Sequence, residues 1–346
     1  MWKKKNNSEN SDEILQQIDS LNKTVQELKS QVEDLQIARL YNQHLDRDPT
    51  QQEIENWKKE LNSNISILEI RDKIANSLEA NSKQKLNKTI TQKISKTILD
   101  EHEFFLNPDD WVCVDTYANA DSYDPGSTTL LKKLLKKDMN VINIGANIGY
   151  FTLLAARQVG PQGKVFAFEP FPKTVELLQK NIDANGYSNV EVIPMAVSSK
   201  SGIAKLSTGG SSLHNIISSR EIKEMTVIEI PQTSIDDFVS KKQIKIDFMI
   251  IDAEGSEPFI LDGMKNTLEN NPNLAIMIEF NPYTLDLAGS SAVEFLKIIS
   301  NNEYLIYLID ETTQKVTPIT VQQLEQDIEP PQVANLLLSK TQLMDI

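Results

Sequence analysis

The stretch "VINIGANIGYF", from Val141 to Phe151, carries the clearest structural signal in this chain of 346 residues. An apolar run ends in a loop that contains Gly145 and Gly149, and the helical pattern "YFTLLAARQV" overlaps its end. Glycine permits positive φ and close backbone approach, and the first amides of a helix face whatever lies in front of them. The stretch therefore predicts a strand that delivers the chain to a small-molecule site.

From residue 140 onward, apolar runs alternate with helical patterns. The strand candidates are "NVINIG", "KVFAFEP", "NVEVIPMAV", "KIDFMIIDAEG", "NLAIMIEF", "YLIYLID" and "VANLLLSK". This alternation predicts an α/β fold with a mostly parallel sheet, and runs such as "FMII" suit strands buried on both faces. A hairpin-like insertion, from Gly202 to Ile230, is expected between the third and fourth strands. Ligands of such sheets bind at the carboxyl ends of the strands.

Two classes of nucleotide cofactor compete for the glycine loop. The dinucleotide fingerprint fails, because Asn147 stands at its second glycine position and Tyr150 at its third. A nicotinamide-dependent dehydrogenase is therefore disfavoured. The remaining pattern, Gly145 to Gly149, is the looser loop of S-adenosylmethionine (SAM) methyltransferases, and a simple tight turn between strand and helix is the alternative.

The next two strand ends support a nucleoside ligand. Glu169 ends the strand "VFAFEP", where an acid can accept both ribose hydroxyls. The third strand ends in "PMAV", which places Met195 and Ala196 where an adenine could lie against apolar side chains.

Acidic residues crowd the fourth strand end, "IIDAEGSEPFILDGM". Asp252, Glu254 and Glu257 follow one another closely, and crowded acids that exclude water have raised pKa values and become usable bases. Glu257 precedes Pro258 and is expected to lie at the N-terminus of the next helix, where acids are favoured.

The predicted catalytic residues are Asp252, Glu254 and His214. His214 lies in "GGSSLHNII" and has a suitable intrinsic pKa, although a histidine in a Gly/Ser loop is more often a surface residue. Glu279, in "MIEFNPY", is a further candidate base. Together with Asp252 and Glu254 it could bind Mg²⁺, but catalysis without a metal is favoured.

Three segments of the sequence carry a family resemblance. "YDPGSTTLLKKLLKKDMNVINIGANIGYFTLLAA", "VFAFEPFPKTVELLQKNIDANGYSNVEVIPMAVS" and "IDFMIIDAEGSEPFILDGM" resemble the FkbM family of SAM-dependent methyltransferases. The resemblance implies the class I (Rossmann-like) fold, with a seven-stranded sheet that has one antiparallel strand. It also implies O-methylation of a sugar, glycan or other hydroxylated metabolite.

The resemblance also assigns roles to residues. It implies that Gly145, Asn147 and Gly149 bind the methionine portion of SAM and that Glu169 binds the ribose. Asp252, with Glu254, is implied to lie near the methyl group and the acceptor.

Three positions depart from the family pattern. Asn143 stands where aspartate is common near the methionine moiety, Asp138 replaces a usual glycine, and Ile250 replaces a frequent lysine. The changes at Asn143 and Ile250 remove opposite charges and could offset each other, and Asn143→Asp is expected to tighten SAM binding. They could instead mark a catalytically weak or inactive adaptor that acts through the N-terminal segments.

The N-terminal part divides into three predicted segments. Residues 1–37 contain a basic start and a heptad pattern over residues 14–35, which favours a parallel homodimeric coiled coil over a helix packed on its own chain. Residues 38–82 resemble the DUF4214 helical module. Residues 83–114 are predicted as a connecting helix, because Ile90, Ile94 and Ile98 are spaced four apart, and 115–346 as the methyltransferase domain.

Composition excludes several classes of function. The net charge of −14 argues against nucleic-acid binding, which needs a concentrated basic face. No apolar run approaches the roughly 20 residues of a membrane span. The single cysteine, Cys113, cannot form an internal disulfide, and a cytoplasmic location is expected.

Overall fold

The structure is a computed structural model that describes residues 37, 41, 49–62, 70, 73, 96–107, 122–208, 226–328 and 332–342. The chain forms two compact units, Met1–Thr89 and Ile90–Ile346. The predicted coiled coil over residues 14–35, most of the DUF4214-like module, Cys113 and His214 lie outside the described residues.

The described part of the first unit is built around helix α1, Gln51–Asn62. Its start is capped reciprocally: the Thr50 amide donates to the Glu53 carboxylate over 2.8 Å, and the Glu53 amide donates to Thr50 Oγ1 over 3.3 Å. On its apolar face, Trp57 Nε1 donates to the Tyr41 hydroxyl over 2.9 Å. The helix therefore begins directly after Thr50.

The predicted connecting helix is wrong over residues 96–105. Strands β1, Lys96–Leu99, and β2, His102–Phe105, form an antiparallel hairpin. The turn residues Asp100 and Glu101 both have positive φ, 49° and 64°, which is the geometry that a two-residue hairpin turn requires. The β-branched and aromatic residues of "KTIL" and "HEFF" favour strands, although the spacing of the isoleucines indicated a helix. Ile90 and Ile94 lie outside the described residues.

The second unit is built on an eight-stranded sheet in the order β12-β11-β13-β10-β9-β3-β4-β5. Its strands are β3 Asn140–Ile144, β4 Lys164–Phe168, β5 Val190–Ile193, β9 Phe248–Ile251, β10 Ala275–Phe280, β11 Leu305–Ile309, β12 Val316–Ile319 and β13 Ala334–Ser339. The prediction of a mostly parallel sheet is confirmed, with β13 antiparallel to both of its neighbours, β10 and β11. Strand β12 is an unpredicted eighth strand at the edge, where its Pro318 is tolerated.

Helices cover both faces of this sheet. They are α2 Pro125–Leu134, α3 Tyr150–Val159, α4 Pro172–Ala184, α5 Ile235–Lys242, α6 Glu257–Asp262, α7 Lys265–Asn270, α8 Pro282–Leu287, α9 Ala292–Asn301 and α10 Val321–Asp327. Leu131, Leu153 and Leu178 bring α2, α3 and α4 into one apolar core, and Phe238, Ile260 and Phe295 bring α5, α6 and α9 into the other. None of the helices within the described ranges is both long and apolar enough to span a membrane.

The predicted hairpin-like insertion is present in its described part. Strands β7, Gly202–Thr208, and β8, Thr226–Thr233, pair antiparallel, and β6, Ala196–Val197, pairs with β8 to complete a second, three-stranded sheet. The segment between β7 and β8, which contains the predicted catalytic residue His214, is outside the described residues.

Candidate active site

A pocket opens at the carboxyl ends of β3, β4 and β9. Its empty volume is about 650 Å³, including open solvent. The structure brings seven of the predicted site residues to its walls: Gly145, Asn147, Glu169, Met195, Ala196, Asp252 and Glu254. The pocket therefore joins the predicted cofactor residues to the predicted catalytic acids.

Gly145 is required by its backbone environment. Its φ is +79°, and a Cβ atom at this position would lie 1.7 Å from the carbonyl oxygen of Asp252. The amides of Gly145 and Ala146 both donate to the carbonyl of Phe168, over 3.0 and 2.9 Å. The loop is thus pressed against the ends of both neighbouring strands, and only glycine fits.

Asn147 and Glu169 hold each other in place. Asn147 adopts a left-handed conformation with φ of 47°, and its amide donates to Glu169 Oε2 over 3.0 Å. Glu169 Oε1 accepts from the Phe171 amide over 2.9 Å. Burial raises the pKa of Glu169 to about 7 against the lowering effect of these two amides. Each oxygen keeps acceptor capacity, which suits two ribose hydroxyls.

Three acids follow β9 closely: Asp252 and Glu254 are half-buried in the loop, and Glu257 is buried at the first position of α6. Burial raises the pKa of Asp252 to about 6 and that of Glu257 to about 7. Burial, together with the charges of Asp252 and Glu257, raises the pKa of Glu254 well above its usual value. Glu257 begins α6 as predicted, and its Oε1 accepts from the Ala253 amide over 2.8 Å, so it also fixes the loop.

Asp252 lies at the centre of a wider group of carboxyls. Its charge contributes to the raised pKa values of Asp124, Glu169, Glu254, Glu257 and Glu279. At the end of β10, burial is the main cause of the raised pKa of Glu279, whose Oε2 is buried without a hydrogen-bond partner among the described residues. The described residues that line the pocket include no lysine or arginine.

Asp124 was not predicted from the sequence. Burial, Glu311 and Asp252 raise its pKa to about 7, and its Oδ2 accepts from Asn335 Nδ2 over 3.2 Å. Asp124 has φ of 40° although Pro125 follows it, a combination that is rare for a residue other than glycine. The only local signal, an acid before "PG" at a helix start, indicates a cap and says nothing of Asp252.

Asn143 and Gly149 do not line the pocket. Asn143 is buried, its Nδ2 donates to Thr152 Oγ1 over 2.9 Å, and in the sheet it is paired with Ile250 on β9. The two main departures from the family pattern are therefore direct neighbours. Gly149, with φ of +106°, is the residue before α3 and shapes the turn.

An aspartate in place of Asn143 would bury its carboxylate beside Ile250 and would lose the donor to Thr152. The expectation that Asn143→Asp tightens SAM binding does not fit this environment, because burial of a carboxylate without a cation beside it is costly. The third departure, Asp138, has a left-handed φ of 68°, which aspartate tolerates better than most residues.

The pocket residues fit SAM by their chemistry. Gly145 lets the loop line the pocket beside the backbone of Asp252, Glu169 offers two anchored oxygens, and Met195 and Ala196 offer apolar walls. The nearby acids suit a cationic sulfonium. Among the described residues, no group of three His, Cys, Asp or Glu side chains is arranged to hold a metal ion.

The strand order and the pocket define a class I SAM-dependent methyltransferase domain. Residues 143–306 match the family model described as the Methyltransferase FkbM domain. The resemblance drawn from the sequence motifs is therefore confirmed for this part of the chain.

Curated relatives match over shorter stretches. The chain is 35% identical over 71 residues to a protein-L-isoaspartate O-methyltransferase of Methanococcoides burtonii, which covers 20% of this chain and 35% of the relative. It is 24% identical over 147 residues to Methyltransferase 1 of Beauveria bassiana, covering 37% of this chain and 59% of the relative. The chain thus spans about a third of the length of the first of these relatives.

Solved structures resemble the chain distantly. A precorrin-6y C5,15-methyltransferase from Geobacter metallireducens has a TM-score of 0.39 at 13% identity, over 64% of this chain and 90% of that one. A SAM-dependent O-methyltransferase from Thermotoga maritima has a TM-score of 0.35 at 15% identity, over 64% and 68%. The strand order of this chain defines its fold independently of these likenesses.

Proposed function

We propose that this protein transfers the methyl group of SAM to a hydroxyl of a sugar, glycan or other hydroxylated metabolite. The observation that carries the proposal is the pocket in which the Gly145 loop and Glu169 meet Asp252 and Glu254. The FkbM match over residues 143–306 supports methyl transfer as the reaction class. The hydroxylated acceptor rests on the family resemblance and on the carboxyls available as hydrogen-bond acceptors and bases.

Each group of cofactor-binding residues contacts a different part of SAM. Glu169 accepts hydrogen bonds from the ribose hydroxyls, Met195 and Ala196 pack against the adenine, and the Gly145 backbone admits the methionine portion. SAM supplies an electrophilic methyl group on a sulfonium. Asp252 and Glu254 place negative charge near that cation and so favour its binding.

Transfer to a hydroxyl also needs a base. A bond forms between the acceptor oxygen and the methyl carbon, the carbon–sulfur bond breaks with its electron pair on sulfur, and the hydroxyl proton leaves. Asp252 or Glu254 accepts that proton, because a carboxylate with a raised pKa is a stronger base near neutral pH. His214, outside the described residues, stays a predicted alternative.

Calorimetry with SAM tests the proposal. Wild type is expected to bind SAM saturably, and Gly145→Arg to abolish binding, since even a Cβ atom at Gly145 meets the Asp252 carbonyl. Gly186→Arg is the matched control, because Gly186 also has positive φ but has no atom within 4 Å of the place that a Cβ would take. A folded wild-type protein that binds no SAM would contradict the proposal.

The adaptor alternative loses its main support in this geometry. Asn143 and Ile250, the two departures that suggested a decayed enzyme, are buried neighbours and do not line the pocket. Homodimerisation through residues 14–35 and a cytoplasmic location remain predictions. Light scattering tests the dimer by comparing the molar mass of the full chain with that of the double variant Leu21→Asp, Leu28→Asp. The variant is expected to be monomeric.

A further inference from the structure

The β1–β2 hairpin lies upstream of the matched FkbM region but docks on its helices. His102 Nε2 and the Tyr187 hydroxyl are hydrogen-bonded over 2.7 Å, and Lys132 on α2 pairs with Asp100 over 2.5 Å. Phe104 is completely buried in the same core as α3 and α4. The hairpin is therefore an integral part of the second compact unit.

Asn181 on α4 and Asn185, the residue that follows α4, bind the outer edge of β2 as a third strand would. Asn181 Oδ1 accepts from the Phe105 amide over 2.7 Å, and its Nδ2 donates to the Phe105 carbonyl over 3.2 Å. Asn185 makes the same pair of bonds with Glu103, over 2.9 and 2.7 Å. The spacings match, since four helical residues rise about 6 Å and two strand residues about 6.6 Å.

Asn181 and Asn185 each make one further bond, and the two bonds differ: Asn185 Nδ2 donates to the Asn181 carbonyl over 2.8 Å, next to its own helix. Asn181 Nδ2 donates to the carbonyl of Ile148 over 2.8 Å, within the glycine loop of the pocket. Asn181 is completely buried, so its bond to Ile148 is shielded from water. The same side chain thus contacts the hairpin and the proposed SAM loop.

The loop is held from two sides at its strained residue. The amide of Asn147 is fixed by Glu169 over 3.0 Å, and the carbonyl of the next residue, Ile148, is fixed by Asn181. Asn147 is left-handed between these two contacts, and a strained conformation persists only where its surroundings enforce it. Loss of the Asn181 donor would leave a buried carbonyl unsatisfied and release one side of the loop.

We propose that Asn181 is a positioning residue that fixes the SAM loop through the carbonyl of Ile148 and so helps to set the affinity for SAM. The inference rests on the proposed function, because it concerns the same cofactor.

The test compares two variants of the full chain, Asn181→Ala and Asn185→Ala. Both lose two hydrogen bonds to β2 and one further bond, which is the bond to Ile148 in Asn181→Ala and the bond to the Asn181 carbonyl in Asn185→Ala. SAM affinity is measured by calorimetry and folding stability by urea unfolding. Both variants should be destabilised, whereas the dissociation constant for SAM should rise about tenfold in Asn181→Ala only, the effect of one unsatisfied buried carbonyl.

Equal SAM affinities in the two variants would overturn the inference, since a purely structural role affects both alike. If Asn181→Ala does not fold, Asn181→Leu replaces it, because leucine keeps a similar side-chain volume and has no donor for Ile148. Unchanged SAM affinity in Asn181→Leu would equally overturn it. Failure of wild type to bind SAM would instead refute the proposed function, so the two failures are distinguishable.

Discussion

Replacing Gly145 by alanine tests how tightly the loop is pressed against β9. The new Cβ atom would lie 1.7 Å from the Asp252 carbonyl oxygen, whereas ordinary contacts begin at 3.4 Å, so the two backbones must separate by 1.7 Å (3.4 minus 1.7). Gly186→Ala is the control: its φ of +70° resembles the +79° of Gly145, but it has open space for a Cβ atom.

The expected losses differ because only one site has a clash. The left-handed conformation costs alanine about 1–2 kcal/mol at either glycine. At Gly145 the separation also breaks the bond from the Asp252 amide to the Ile144 carbonyl, 3.0 Å long, which costs about 1 kcal/mol or more. We expect Gly145→Ala to lose about 3 kcal/mol of unfolding free energy and Gly186→Ala about half of that.

Urea unfolding followed by circular dichroism measures the stability difference, and calorimetry with SAM measures its functional effect. A displacement of more than about 1 Å at Asp252 should weaken SAM binding by about 100-fold, the scale of misplacement effects in active sites. If Gly145→Ala were no less stable than Gly186→Ala and bound SAM as wild type does, the close approach of the loop to β9 would be refuted.

Three further predictions follow from buried polar groups. Asp124, Asp252 and Glu257 have raised pKa values of about 7, 6 and 7, so in the folded state they hold protons that the unfolded chain has lost. The melting temperature without ligand should therefore fall as pH rises from about 5 to about 8. A rise of the melting temperature across this window would contradict the raised pKa values. Glu169→Gln should weaken SAM binding in calorimetry about tenfold. The affinity of the wild type for SAM should fall below a pH of about 7, because Glu169 then gains its proton. Equal SAM affinities above and below that pH would exclude an ionised Glu169 as the ribose ligand. Asn143→Asp should lower the midpoint of urea unfolding without tightening SAM binding, because it buries a carboxylate and loses the donor to Thr152. An unchanged midpoint would show that the surroundings of residue 143 accommodate the charge.

The sequence located the pocket because parallel strands bring their carboxyl ends to one edge of a sheet. Glu169, Met195 and Asp252 end three separate apolar runs, and that position alone predicted that they would meet. Their hydrogen-bond partners and burial could not be read from the runs. The roles of these residues in binding and catalysis stay predictions.

Other features depend on contacts that local patterns do not contain. The isoleucine spacing near Ile98 mimicked a helix, whereas the docking of β2 on Asn181 and Asn185 decides for a hairpin. Asp124 comes near the acids around Asp252 only through the tertiary fold, and the charge of Asp252 contributes to its raised pKa. The departures from the family pattern at Asn143 and Ile250 could likewise be interpreted only once the strand register was known, because the register pairs these two residues.

The position of β13 has a consequence for the order of folding. This strand comes after β10 and β11 in the chain yet pairs between them, five register pairs on each side. During synthesis the earlier strands emerge first, so the edges of β10 and β11 stay open until Ala334–Ser339 arrives. An unpaired strand edge can pair with the strands of other chains. A chain truncated before β13 would therefore tend to aggregate instead of forming a less active enzyme.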